Sequence, residues 1–432
     1  MNEPTSAARD DRPVVGLLGA TGITGRVALA HLVARAAEAG VDVVVGARDP
    51  GRVRALCAAR AVPVPETVRT DVTDEASLRT LVRRADVLVN LAGPYTRLAP
   101  PVLAACVAEG THYLDLTGEL PLVLRTDRDL HDAARAAGVA LVHTAGFEAL
   151  PPDVLVDAAR RHAAATGETL RSADLVTSVR TPPGSRFSES VSGGTVQSLV
   201  EVLRDPDPAR TGDVAARVPH PAPGTGTAAD PEAVRRTSPL RLRARTAGGR
   251  VLAPMSPLAA VNPPVVHRTQ ALSPVPGAAA HPLAFREAMS LGPWGGAPGA
   301  GRFAAAEAVA AFQALAGLAT RLPHPVRARL ADVLARVLPA AGTGPEGDVL
   351  TGWSWTTRGT FTTREGTVFP GLLEAEGNPG YGTTPWLTAE LALRMATRGV
   401  PDAALGSTTP ALALDGDLAA LLPARVRITV GR

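Results

Sequence analysis

Apolar positions recur along the first third of the chain in two alternating rhythms. Short continuous runs rich in β-branched residues occur at VVGLLGA (14–20), VDVVVGAR (41–48), TVRTDV (67–72), VLVNLAG (87–93), HYLDL (112–116) and ALVHTAG (140–146). Between them, at 25–40, 50–61, 74–85, 98–110 and 121–138, apolar residues return every three or four positions, the spacing of one helix face. Asp74 sits where a helix N-cap is wanted, and Gly40, Gly110 and Gly138 sit where helices end. Apolar strands separated by helices predict a parallel sheet covered on both faces, and six strands with five crossovers predict a doubly wound Rossmann domain over 13–150.

After Pro151 and Pro152 the rhythm stops. A strand is expected at 173–181, a helix at 193–204, a long loop over 205–235 and a hairpin about Gly248 and Gly249. Ala-rich helices over 302–339 break near Pro323 and Pro325, and 352–377 alternates as antiparallel strands do. The fold class is therefore α/β, a parallel Rossmann sheet with a second α+β domain over 151–383 that contains an antiparallel sheet. A C-terminal helix and strand over 384–432 are expected to pack back on the first domain. The apolar stretch FAAAEAVAAFQALAGLA (303–319) is short for a membrane span and contains Glu307 and Gln313, so it reads as a buried helix, with an interfacial element as the alternative.

Composition narrows the chemistry. A formal charge of +3 over 432 residues, with no basic block, leaves no footprint for nucleic acid. The first twelve residues lack the apolar core of a secretory signal, and Cys57 and Cys106 read as two buried free thiols, so a cytoplasmic setting is expected. The chain contains no lysine, so all 44 of its basic residues are arginine. Schiff bases, a P-loop lysine and a Tyr-x-x-x-Lys pair are excluded.

The stretch LLGATGITGR (17–26) places Gly19, Gly22 and Gly25 between a strand and a helix. Gly19 allows the turn, Gly22 lets backbone approach a pyrophosphate, and Gly25 lets the helix pack on the strand; Thr21, Ile23 and Thr24 complete the loop. The second strand ends at Arg48, 23 residues after Gly25, where dinucleotide enzymes read the adenosine ribose. An arginine there, with Arg52 near, suits a 2′-phosphate and favours NADP, although Asp49 keeps an acid close. Asp71 and Val72 are expected beside the adenine, and Ala92, Gly93 and Pro94 on the way to the nicotinamide.

With these residues in view, the chain resembles the saccharopine dehydrogenase-like oxidoreductases, and within them the trans-acting enoyl reductase group. The stretches that carry the likeness are GATGITGR (19–26), NLAGPYTRLAPPVLAACVAEGTHYLDLTGE (90–119), HTAGFEALPPDVL (143–155), SGGTVQSLVE (192–201), GTGPEGDVLTGW (342–353) and NPGYGTTPWLTAELAL (378–393). The resemblance implies an NADP-type domain and reduction of a small or carrier-bound acyl substrate. In better-known members that substrate is a polyketide chain from a synthase lacking its own enoyl reductase, which implies a polyketide synthase or carrier protein as partner. The chain departs from the group at Glu148, where aspartate is common, and at Pro152, where serine is common.

Tyr95, Asp115, Glu119, His143 and Glu148 all fall at expected carboxyl ends of strands, where open α/β sheets bind ligands. Tyr95 could donate a proton, although no lysine lowers its pKa, and a structural hydroxyl remains the alternative. Asp115 is a catalytic candidate of a kind that more often caps a loop or helix than does chemistry, His143 suits a satisfied core position, and Glu148 could bind substrate. No His, Cys or acid cluster has metal-ligand spacing. A non-catalytic NADP sensor, a saccharopine-type amino-acid reductase and a lipid-associated scaffold remain open alternatives at this level.

Overall fold

Each apolar run of the first third forms its own strand. A computed structural model describes residues 12–147, 149–184, 193–207, 211–219, 226–255, 258–337 and 350–431. The order is β1 (Val14–Leu18), α1 (Ile23–Ala39), β2 (Asp42–Ala47), α2 (Pro50–Ala59), β3 (Glu66–Arg69), α3 (Glu75–Val82), β4 (Val87–Asn90), α4 (Tyr95–Glu109), β5 (His112–Asp115), α5 (Leu120–Asp129), α6 (His131–Ala136) and β6 (Ala140–Val142). The strands pair in parallel in the order β6-β5-β4-β1-β2-β3, so the topology reverses between β1 and β4. In open α/β sheets that reversal opens the ligand crevice at the carboxyl ends of the strands.

Two boundaries differ from the periodicity. The third strand stops at Arg69, because the Asp71 carboxylate accepts hydrogen bonds from the Thr73 backbone at 2.9 Å and the Thr73 hydroxyl at 2.7 Å and turns the chain. The helix expected over 121–138 is two, α5 and α6, broken at Leu130. The break brings His131 to residues 406–408, where its Nδ1 accepts from the Ser407 backbone at 3.1 Å.

The remainder runs α7 (Leu150–Ala165), β7 (Leu170–Arg180), α8 (Gly193–Arg204), α9 (Pro231–Thr237), β8 (Arg245–Ala247), β9 (Arg250–Ala253), α10 (Asn262–Leu272), β10 (Ala284–Pro293), α11 (Gly296–Ala319), α12 (His324–Val337), β11 (Ser354–Thr363), β12 (Val368–Glu376), α13 (Thr384–Arg398), β13 (Gly406–Thr408), α14 (Pro410–Leu414) and β14 (Val426–Val430). A second seven-stranded sheet has the order β14-β12-β11-β7-β10-β9-β8, antiparallel except where β10 runs parallel to β7. The stretch expected as a loop over 205–235 buries Val214, Ala215 and Val218 against Val234 and ends in α9, whose N-terminus Asp230 caps.

The C-terminal segment divides between the two sheets. Strand β13 pairs with β6 and becomes the seventh strand of the first sheet, and α13 packs on α1, β1 and β4. Strand β14 pairs with β12 in the second sheet instead of returning to the first. Its alternating burial suits an edge strand with one wet face. One continuous core joins Leu17 of β1, Leu155 of α7, Leu391 of α13 and Leu373 of β12.

The expectation of a buried helix over 303–319 is overturned. Among the described residues of α11 only Gly299, Ala306, Ala310 and Gln313 are buried, while Phe312, Leu315 and Leu318 are 52%, 65% and 57% exposed. The helix packs through small residues on one side, and apolar content alone does not tell which side faces water.

Candidate dinucleotide and substrate site

The three glycines of the first loop are required for different reasons. Gly19 has φ +86°, and a Cβ there would lie 2.6 Å from the Leu91 backbone. A methyl on Gly25 would collide with the Gly19 carbonyl, so the chain's own packing excludes a side chain at both positions. Gly22 is different. It is exposed, its φ is −71°, and a Cβ would meet only the Gly19 oxygen at 3.3 Å. Open space outside Gly22, at the β1/β4 reversal, fits a cradle for a ligand. Helix α1 begins there with no side-chain cap, whereas Asp49, Asp74 and Asp230 cap α2, α3 and α9. The amides of Ile23 and Thr24 in its first turn are thus placed for an anion, with Thr21 on the same loop. These residues fit the diphosphate of a dinucleotide.

Arg48 stands exposed at the end of β2, and Arg52 is exposed one turn into α2. The neighbouring acid is already engaged: Asp49 accepts from the Gly51 backbone at 2.8 Å. Arg48 itself is exposed and close enough for its charge to act on Asp71. Asp71 follows β3, its carboxyl held below the ordinary range by hydrogen bonds from Thr73 and by the charge of Arg48. Val72 is half-buried beside it, and Ala92, Gly93 and Pro94 follow β4, with Gly93 exposed and the Gly93–Pro94 peptide cis.

Under this edge runs a buried polar chain. The Ala92 backbone donates to Asn90 Oδ1 at 3.0 Å, Asn90 Nδ2 donates to the Tyr113 hydroxyl at 3.0 Å, and Tyr113 donates to Asp115 Oδ2 at 2.9 Å. His143 Nδ1 lies 2.8 Å from the same oxygen, and the Thr117 backbone donates to Asp115 Oδ1 at 3.1 Å. Asn90, Tyr113, Asp115 and His143 are all fully enclosed. Asp115, a catalytic candidate by sequence, is fully buried, and its carboxylate ties the ends of β4, β5 and β6 together through these bonds. His143 lies in the core, but only half satisfied: Nδ1 meets Asp115, while Nε2 is enclosed without a partner.

Glu119 also holds backbone in place. It accepts from the Tyr95 amide at 3.1 Å, the Thr96 amide at 2.6 Å and the Thr96 hydroxyl, capping α4 from across the chain. Burial pushes its carboxyl above the ordinary range, opposed by those bonds. Tyr95 is half-buried in the first turn of α4, beside the Gly93 loop. Glu148 lies outside the described residues.

Glu287 was not legible as a site residue. It lies on β10 and lines a narrow cleft with Phe147, Pro152, Met255, Asn262 and Thr357, between the β6–α7 connection and the second sheet. Burial raises its carboxyl to about 8, partly opposed by a 2.9 Å hydrogen bond from Asn262 Nδ2 to Oε2. Its Oε1 and the Asn262 Oδ1 are enclosed without hydrogen-bond partners. The raised value favours the protonated carboxyl near neutral pH, at the lining of a cleft between the β6–α7 connection and the second sheet. The only sequence signal was a lone acid in AFREAMSLGP (284–293), a stretch without a strict strand pattern. Among the described residues no cluster of His, Cys, Asp and Glu is placed to hold a metal ion.

The saccharopine dehydrogenase NADP binding domain family matches residues 15–142. A trans-acting enoyl reductase of Mycobacterium tuberculosis is 31% identical over 425 residues, covering 94% of this chain and 94% of the relative. One from Mycobacterium bovis matches to the same extent. The chain belongs to the saccharopine dehydrogenase-like oxidoreductases, in their trans-acting enoyl reductase group. Family membership gives NADP as the cofactor, in agreement with the open Gly22 cradle and the free-standing Arg48. Apo saccharopine dehydrogenase (L-Glu forming) from Saccharomyces cerevisiae aligns over 97% of this chain and 99% of its own, with a TM-score of 0.50 at 14% identity. At that identity the likeness shows a shared fold.

Proposed function

We propose that the protein reduces a carbon–carbon double bond conjugated to a carbonyl, on an acyl or polyketide-like substrate lying between the two sheets. The observation that carries the redox half is the Gly22 cradle at the β1/β4 reversal, which the chain's own packing does not explain. The enoyl choice is supported by the names of the relatives. When bound, NADPH supplies hydride for the β-carbon.

The loop from Gly19 to Gly25 holds the diphosphate through backbone amides, and Arg48 holds the 2′-phosphate. The N–H groups of Gly93 and Gly146 are the donors for an enolate oxygen, those of Ala92, Tyr95, Ala145 and Phe147 being bonded within the chain. Glu287, neutral near pH 7, is the proton source for the α-carbon, and its carboxylate regains a proton from water; Tyr95 is the second candidate. Substrate delivery by a polyketide synthase or carrier protein, in the cytoplasm, completes the reading.

The test is NADPH oxidation with a panel of α,β-unsaturated thioesters beside imines and 2-oxo acids. Turnover on the unsaturated thioesters supports the reading. Turnover of imines or oxo acids alone would move the protein to amino-acid chemistry. Tight NADPH binding with no turnover on any substrate would make it a sensor.

A further inference from the structure

Helix α11 is amphipathic with its sides reversed for a helix in water. Its inward side is tied to the second sheet, where Ala306 packs with Val251 and Ala253 of β9. The outward stripe runs Gly301, Ala304, Ala308, Ala311, Leu315 and Leu318, with Phe312 beside it, and contains no charge. Leu322, in the link that follows α11, and Val326 and Val333 of α12 are likewise apolar and exposed, at 38%, 49% and 55%. By length and composition Gly296–Ala319 could cross a membrane, but end-on insertion would strip it from β9. A row of exposed apolar side chains of this length marks an interaction site.

The rim identifies the partner. Arg321, Arg329 and Arg336 are exposed, and Arg329 and Arg336 share the α12 face of Val326 and Val333 by spacing. The one exposed acid on α12, Asp332, is engaged by Arg204 at 3.0 Å. At the opposite end of α11, Trp294 is half exposed and packs edge-on against Phe303, the kind of side chain that settles at headgroup depth. We propose that this face of α11 and α12 rests on an anionic lipid bilayer. The helix lies in the plane of the headgroups, with the leucines and Phe312 among acyl chains and the guanidinium groups on lipid phosphates. A second copy of the chain fits less well, because the acid of α12, Asp332, is already engaged by Arg204 and brings no free charge to meet the arginines. The inference does not depend on which bond the enzyme reduces.

The experiment is co-sedimentation of the full chain with phosphatidylcholine vesicles, with and without phosphatidylglycerol, at low and high salt. Wild type is expected to pellet with the anionic vesicles and to be released by salt. L315D/L318D should lower the partition by about tenfold or more, with NADPH affinity and melting temperature unchanged. Should that variant fail to fold, R329Q/R336Q gives the same reading through a weaker response to phosphatidylglycerol. Absence of wild-type binding to both vesicles would overturn the proposal, as would undiminished binding by a folded variant. A wild-type dimer in light scattering that L315D/L318D dissociates, without vesicle binding, would assign the face to a second copy instead.

Discussion

Asn262 donates a 2.9 Å hydrogen bond to one oxygen of Glu287 and leaves the other oxygen enclosed without a partner. A carboxyl in that setting keeps its proton through neutral pH, and the cleft between β10 and the β6–α7 connection is the place where such a proton is useful. Turnover should therefore fall as pH rises through about 8. Glu287→Gln should retain NADPH binding, lose about 10²-fold or more in kcat and lose that alkaline limb. Steady-state kinetics from pH 6 to 9 on both proteins checks this, and an unchanged profile in the variant would remove Glu287 from the chemistry.

Stability should show the same sign. Glu287 is raised from 4.5 to about 8, and Asp153, bonded to Thr269 Oγ1 at 2.5 Å and to the Ala411 amide at 2.9 Å, from 3.8 to about 7, both chiefly by burial. Between the unfolded and folded values the native chain binds more protons than the unfolded one. Their contribution is thus complete below about pH 4 and lost as pH rises through 7 and 8. Melting temperatures should be lower at pH 9 than at pH 6, with a smaller difference in Glu287→Gln. Asp127, drawn down to about 2 by Arg217 and Arg268 against the cost of burial, works the other way and fails only in strong acid.

The last two glycines of the first loop separate folding from binding. Gly25→Ala should destabilise by about 1–3 kcal/mol, since its methyl has no room against the Gly19 carbonyl. Gly22→Asp should fold normally and lose NADPH affinity, because its carboxylate enters the space left for phosphate. Calorimetry for cofactor binding and denaturant melts on both variants distinguish them. Undiminished NADPH binding in Gly22→Asp would reduce the loop to a turn.

Arg48→Asp should lower NADPH affinity by at least about tenfold and narrow the preference over NADH. Asp49 cannot take over the ribose without giving up its bond to the Gly51 amide. Titration of the variant with both cofactors decides it, and an unaltered preference would place the 2′-phosphate elsewhere.

Asp115→Asn should leave a buried donor facing the Tyr113 hydroxyl or the Thr117 amide and destabilise the chain by about 1–3 kcal/mol. Equilibrium denaturation measures the loss. A variant as stable as wild type, but without turnover, would return Asp115 to the chemistry.

The parallel domain was legible because buried strands such as VLVN leave long apolar runs and because Gly40 and Gly110 stop their helices in the left-handed conformation. The cofactor loop was legible for a related reason: glycine spacing records where backbone must pass close. Leu130 interrupts a helix without altering apolar spacing, and Gly406–Thr408 is too short and polar to announce a strand, so both depend on contacts between distant segments. The outward side of α11 escaped because alanine and leucine look alike whether they face a core or a lipid. Glu287 escaped because its raised proton affinity comes from burial among residues such as Phe147, Met255 and Thr357, brought together only by the fold.

The pairing of β13 with β6 has a consequence for the order in which the molecule can be completed. Ribosomes deliver residues 406–408 only after the other six strands of the first sheet have emerged. Until then β6 presents an open edge, and the side of the first sheet covered by α13 lacks its lid. The nucleotide-binding half, although encoded first, cannot mature as an autonomous unit during synthesis. A nascent chain arrested before Thr384 should be captured by chaperones and cleaved readily by protease, whereas release of the full chain should confer resistance in one step.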